Sequence, residues 1–102
     1  MFISGGENVY PAEIEQVLLS HPDVQDAAII GVPDSKWGEV GVAYLVVRRQ
    51  GGIAAEEIIY FVSTQLARYK LPKEICFLES LPRNASGKIL KDELLARYRS
   101  AG

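Results

Sequence analysis

Two apolar runs constrain this chain more than any other feature: "VQDAAIIGV", beginning at Val24, and "VAYLVVRR", from Val42 to Arg49. Both are rich in β-branched residues and bounded by turn formers, Pro22 before the first and Gly51 and Gly52 after the second. That pattern reads as two strands. The stretch between them, "PDSKWGEVG", carries a proline and two glycines and interrupts the β pattern.

Amphipathic segments surround these strands. The first ten residues read as a short strand, a Gly-rich turn and a second short strand. "PAEIEQVLLSH" reads as a helix: Pro11 suits the first helical position, and Glu13 and Glu15 sit where the helix dipole favours anions. Ile14, Val17 and Leu18 follow the spacing of one helical face. "AAEEIIYFVSTQLARY" predicts a long second helix with Ile58, Val62, Leu66 and Tyr69 as its stripe, stopped by Pro72. "EICFLES" predicts a short strand. "KDELLARYR" predicts a last helix, acidic at its start (Asp92, Glu93) and basic at its end (Arg97, Arg99), with Leu90, Leu94, Leu95 and Tyr98 on its apolar face. The expected fold is α+β: one small mixed domain over residues 1–102, with a short β-sheet plus an N-terminal β-hairpin, packed by about three helices.

Composition excludes several functions. At 102 residues the chain suits one domain, which can bury roughly 60–70% of its unfolded surface. One cysteine, Cys76, allows no disulfide framework and no cysteine cluster for a metal, so a reducing, cytoplasmic compartment is expected. One histidine, His21, argues against a Ser-His-Asp site or a His-rich metal site. A net charge of −2 argues against nucleic acid as partner. No apolar run reaches the roughly 18 residues of a membrane span. "MFISGGENVY" has no basic region before an apolar core, so it does not read as a signal peptide. It opens directly into strand-like "FIS", so Met1 is expected not to be a natural start.

Three stretches carry candidate chemistry, each with an ordinary reading beside it. "SGGEN", Ser4 to Asn8, is either a plain hairpin turn or a place where something passes close to the backbone. Trp37 in "PDSKWGE" either caps a core edge or offers a flat face for stacking a base; Tyr69, Lys70 and Lys73 in "ARYKLPK" either decorate a helix end or hold phosphates. Lys88 in "LPRNASGKIL" is either a solvated surface lysine or a cation that reaches a phosphate or carboxylate elsewhere. Cys76 reads as core, His21 as a helix-end group, and the carboxylates as helix starts and exposed faces.

"SGGENVYPAEIEQVLLSHPDVQDAAIIGVPDSKWGE" followed by "LPRNASGKILKDEL" resembles the C-terminal domain of the adenylate-forming superfamily, which includes acyl-CoA synthetases, peptide-synthetase adenylation domains and luciferases. The resemblance covers essentially all 102 residues. The "GGENVYPAEIE" wording is closest to the acyl-CoA ligases. The resemblance implies a carboxylate attacking the α-phosphate of ATP, then CoA thiol attacking the acyl-adenylate. It implies that Lys88 is the adenylation lysine, that Ser4, Gly5 and Gly6 shape the pantetheine tunnel, and that Trp37, Tyr69, Lys70 and Lys73 lie near the CoA nucleotide. Leu71 departs from members that carry a basic residue there.

By the same resemblance the partners are an N-terminal adenylation domain, a carboxylic acid and CoA. ATP and CoA are substrates, Mg2+ belongs with the N-terminal domain, and neither metal nor cofactor is held by this domain alone. The phosphate-binding loop, the acyl pocket and the hinge lie outside the chain, so the isolated domain is expected to be inactive. Any peripheral membrane association of the whole enzyme would be invisible in these residues. Two other readings stay open: an adenylation domain that loads a carrier protein, and a non-catalytic binding module that reuses the fold.

Overall fold

A computed structural model describes residues 1–48 and 52–101. Its elements in chain order are β1 (Phe2–Ser4), β2 (Glu7–Val9), α1 (Pro11–Leu19), β3 (Val24–Asp34), β4 (Gly38–Val47), α2 (Ala55–Ser63), β5 (Glu74–Phe77) and α3 (Lys91–Ala101). The second β run was expected to span Val42 to Arg49, ended by Gly51 and Gly52; Arg49 and Gly51 lie outside the described residues.

The antiparallel pair β3–β4 is the centre of the sheet, in register from Asp26↔Val46 to Asp34↔Gly38, with a bulge between Val24 and Asp26 that shifts the last pair to Val24↔Val47. β4 also pairs with β1 at Ser4↔Gly38 and, in parallel, with β5 from Val42↔Glu74 to Leu45↔Phe77. A parallel neighbour needs a crossover, and α2 supplies it.

Successive residues of β3 and β4 point to opposite faces, and both faces are buried. Ala27, Ile29, Ala43 and Leu45 meet Ile14 and Leu18 of α1 and Ile58 and Val62 of α2. Ala28, Ile30, Val32, Val40, Val42, Tyr44 and Val46 meet Leu81 and Leu94, with Leu95 and Tyr98 packed alongside. The helices therefore sit on both sides of the sheet. This accounts for the near-continuous apolar wording of the two runs, since a strand covered on both faces needs no polar alternation.

The predicted second helix is shorter than its stripe suggested. α2 ends at Ser63. The hydroxyls of Ser63 and Thr64 donate to the carbonyls of Tyr60 and Phe61, at 2.6 and 2.7 Å. Such local bonds compete with helix continuation. Leu66 still packs on the core, but Tyr69 lies in a separate 3-10 turn, Arg68–Lys70, and is exposed. The turn redirects the chain so that β5 can enter beside β4.

Phe2 fastens the N-terminal hairpin to the sheet. Its ring covers the facing pair Gly31 and Gly41; a Cβ on Gly31 would lie 2.8 Å from Phe2 Cγ, and one on Gly41 3.2 Å from Phe2 Cζ. The glycines make room for an aromatic ring laid flat on the strands. Gly31→Ala should therefore destabilise the chain by about 1–3 kcal/mol, the usual cost of overpacking. Phe2→Leu in the same background should recover part of the loss. Urea unfolding of the parent and the two variants tests this; an unchanged midpoint for Gly31→Ala would show that the ring yields freely.

Candidate functional site

The ten residues from Leu81 to Leu90 form a tied hairpin. Arg83 and Ile89 face each other across an isolated bridge, and Leu90 N–H donates to Pro82 O at 2.9 Å. Asn84 organises the turn. Its Oδ1 accepts from Ser86 N–H at 3.0 Å, Ser86 Oγ at 2.7 Å and Lys88 N–H at 3.0 Å, while its own N–H donates to Lys88 O at 2.9 Å. Gly87 has φ +89, a left-handed conformation that suits glycine. The glycine supplies the shape of the turn. The backbone at Lys88 is thus held on both its N–H and its carbonyl.

The Lys88 side chain is the contrast. The chain has five lysines. Three are paired with carboxylates: Lys70 with Glu13 at 2.8 Å, Lys73 with Asp34 at 2.8 Å and Lys91 with Glu15 at 2.7 Å. The Lys36 ammonium lies 5.0 Å from the centroid of the Trp37 ring. Lys88 is exposed and, among the described residues, makes neither kind of contact. It borders a cleft of about 780 Å³ with Glu15, Arg83, Asn84 and the start of α3.

A second, larger cleft of about 1080 Å³ opens at the other end of β3. Ser4, Gly5, Trp37, Tyr69 and Lys73 all line it, so the fold brings together five of the seven residues proposed for CoA from sequence. Gly6 and Lys70 do not line it. Gly5 N–H donates to Trp37 O at 2.8 Å, and a Cβ on Gly5 would lie 2.9 Å from Trp37 Cε3. The close approach is therefore at Gly5. A Cβ on Gly6 would meet open space, although φ +84 still favours glycine there. Trp37 and Tyr69 are 49% and 42% exposed, enough for a flat ligand to reach either ring.

Sequence reasoning missed the group that assembles this cleft, Asp34. Its Oδ2 accepts from Lys36 N–H at 3.0 Å and Trp37 N–H at 2.9 Å, and its Oδ1 accepts from Lys73 Nζ at 2.8 Å. Lys73 and these amides hold its carboxyl below the ordinary aspartate range. Asp34 in turn raises the Lys73 ammonium, and Glu13 does the same for Lys70. An Asp followed by polar residues and glycine is a legible turn signal, but its long-range partner Lys73 is not. Lys36 and Arg68 were also missed: both line or flank the cleft, and both lie within the two motifs already singled out.

Other groups keep ordinary roles. Cys76 packs against the α3-side core, and burial followed by the charge of Glu74 pushes its thiol up, away from a nucleophilic thiolate. His21 Nδ1 accepts from Asp23 N–H at 3.1 Å, and the ring stands edge-on to Phe61 with centroids 4.7 Å apart. No helix among the described residues is long and apolar enough to cross a membrane.

Residues 13–88 match the model of the AMP-binding enzyme C-terminal domain. The chain is 57% identical over 94 residues to the 2-succinylbenzoate–CoA ligase of Bacillus cereus strain ATCC 10987, a match over 92% of this chain and 19% of that protein. Among solved structures it is similar to a Mycobacterium tuberculosis fatty acyl CoA synthetase, with TM-score 0.93 and 50% identity over 99% of this chain and 20% of the other. It is also similar to o-succinylbenzoate CoA synthetase from Bacillus subtilis in complex with its acyl-adenylate intermediate, with TM-score 0.85 and 50% identity over 90% and 19%. The chain spans about a fifth of the length of the relatives it matches.

The Asp34 assignment has a pH signature. A carboxyl whose folded pKa is depressed adds stability that is fully present above the unfolded value, near 3.9, and is lost as pH falls through the folded value. Asp34→Asn should therefore be less stable than the parent at pH 7, and the gap should close on going below about pH 3.9. Chemical denaturation of both proteins at pH 7 and pH 3 checks this. A gap of equal size at both values would mean that the charge on Asp34 plays no part.

Proposed function

The chain belongs to the family of AMP-binding enzyme C-terminal domains, and on that premise we propose that it is the mobile C-terminal domain of an ATP-dependent acyl-CoA ligase. The whole enzyme would join a carboxylic acid to CoA in two half-reactions, with its N-terminal domain binding ATP, the acid and Mg2+. In the first, a carboxylate oxygen attacks the α-phosphorus of ATP and the bond to pyrophosphate breaks. In the second, the CoA sulfur attacks the acyl carbon, the bond to AMP breaks and the thiol proton is released.

One observation carries this reading: the two candidate sites lie at opposite ends of one rigid strand. Asp26, which binds the Lys88 hairpin through Arg83, and Asp34, which organises the Trp37 cleft, are eight positions apart on β3. At about 3.3 Å per residue that is roughly 26 Å. The two clefts share no lining residue. One reaction centre cannot touch both at once, so a domain that serves both half-reactions must turn between them.

Each end suits its step. Attack on the α-phosphate gathers negative charge on the phosphoryl oxygens. An unpaired ammonium on a long stem, carried by a fixed backbone, can meet that charge without first giving up a carboxylate partner. At the other end, Ser4 and Gly5 border the path of the pantetheine arm while Trp37 and Tyr69 flank the nucleotide. Lys73 supplies a cation for its phosphates, whereas Lys70 is held by Glu13 outside the cleft. Mg2+ accompanies ATP and neutralises phosphate charge when bound. Among the described residues no group of three or more His, Cys, Asp or Glu side chains is gathered for a metal.

The acid is selected elsewhere. A succinylbenzoate ligase and a fatty acyl synthetase match this chain at 57% and 50% identity although their acids differ. The names of both relatives favour CoA over a carrier protein as the acceptor.

Two outcomes are expected in the full-length enzyme. Lys88→Ala should slow adenylation on the order of 10²–10³-fold, the scale of losing one charge-stabilising donor. Conversion of supplied acyl-adenylate to acyl-CoA should be spared. Pyrophosphate exchange and single-turnover thioester formation measure the two steps separately; an equal fall in both would contradict the two-ended reading. Trp37→Ala or Lys73→Ala should raise the KM for CoA more than the KM for ATP. Steady-state kinetics with each substrate varied decides it, and equal effects would return both residues to structural roles.

A further inference from the structure

Arg83 belongs to neither cleft's expected chemistry, yet its guanidinium joins three parts of the molecule. Nη2 donates to Asp26 Oδ2 on β3, and Nη1 donates to the Gly87 carbonyl at 2.6 Å. The Gly87 carbonyl is one half of the peptide whose other half is the Lys88 N–H. Asp26 is itself oriented, because its Oδ1 accepts from Ala27 N–H at 3.0 Å. With Asn84 holding the Lys88 N–H and carbonyl, the Lys88 backbone and the carbonyl before it are all tied, and among the described residues the tie from these atoms to the sheet runs through Arg83.

We propose that Arg83, seated on Asp26, is a positioning residue for adenylation: it anchors the turn from which Lys88 reaches the α-phosphate. This rests on the role given to Lys88 above. The physical logic is that of a preorganised charge. Among the described residues Lys88 makes no ion pair, so its effectiveness depends on where its backbone starts. A displacement of about 1 Å in such a group can cost on the order of 10²-fold in rate. Arg is suited to the task because its planar fork reaches a carboxylate and a carbonyl at once, which a lysine's single ammonium does not. Arg83 is partly exposed and Asp26 largely covered, so the clamp lies at the surface and its loss should leave both buried clusters in place.

The test uses the full-length ligase with Arg83→Ala, Arg83→Lys and Asp26→Ala, alone and in the Lys88→Ala background. Each single change should lower the rate of pyrophosphate exchange about 10–100-fold, with KM for ATP and for the acid moving less than twofold. Arg83→Lys should fall between the parent and Arg83→Ala. Thioester formation from supplied acyl-adenylate should be unchanged, which also shows that each variant is folded. In the Lys88→Ala background the Arg83 changes should cost nothing further, because residues acting through one group are non-additive. An undiminished exchange rate in Arg83→Ala, or an equal further loss without Lys88, would overturn the proposal. So would a parallel loss of the second half-reaction. Should Lys88→Ala itself leave exchange intact, the failure would lie in the role of Lys88 and would take this inference with it.

Discussion

The antiparallel ladder between β3 and β4 is the constraint on which the rest of the molecule depends. It is the longest pairing in the sheet, and it is apolar on both faces. A two-stranded ribbon of that kind is not stable in water by itself. α1 and α2 must close one face, α3 and Leu81 the other, and β1 and β5 must line the free edge of β4. The outer edge of β3 is managed differently. Glu15 accepts from Ile29 N–H at 2.8 Å, Asp26 accepts from Ala27 N–H, and Pro33 has no N–H to offer. These are recognised ways of keeping an edge strand from pairing with another chain.

The same edge devices also position chemistry. Glu15 caps an N–H of β3 and pairs with Lys91 at the start of α3. Asp26 covers the strand and receives Arg83. Asp34 closes the β3–β4 turn and receives Lys73. Surface ion pairs of this type add little to stability, typically well under about 1 kcal/mol. Their worth here lies in geometry. They fix loops at the two ends of one strand, so the two clefts keep a constant separation.

Much of this was legible in the residues. Helix starts followed from Pro11, the first-turn carboxylates and the apolar spacing, and the three helices and the hairpin lie where that pattern places them. The length of the second helix was not legible, because Leu66 and Tyr69 keep a helical spacing after the hydroxyls of Ser63 and Thr64 have already turned the backbone aside. Of the CoA candidates, Trp37, Tyr69 and Lys73 converge on one cleft, whereas Lys70 turns to Glu13. Nothing in "ARYKLPK" distinguishes the two lysines; the 3-10 turn through Arg68–Lys70 does.

By itself the sequence determined the local chemistry: where strands and helices begin, which positions are apolar, where glycine turns the chain, and that Lys88 follows such a turn. These are properties of neighbouring residues, carried by steric preference and by periodicity. Only the tertiary structure decided which cations are free. A lysine is paired or unpaired according to carboxylates tens of positions away, as Lys73 is to Asp34 and Lys70 to Glu13. It also decided that the helices divide between two faces and that Lys88 and Trp37 stand at opposite ends of the same strand. Those facts depend on register and packing, which couple residues distant in sequence and have no local signature.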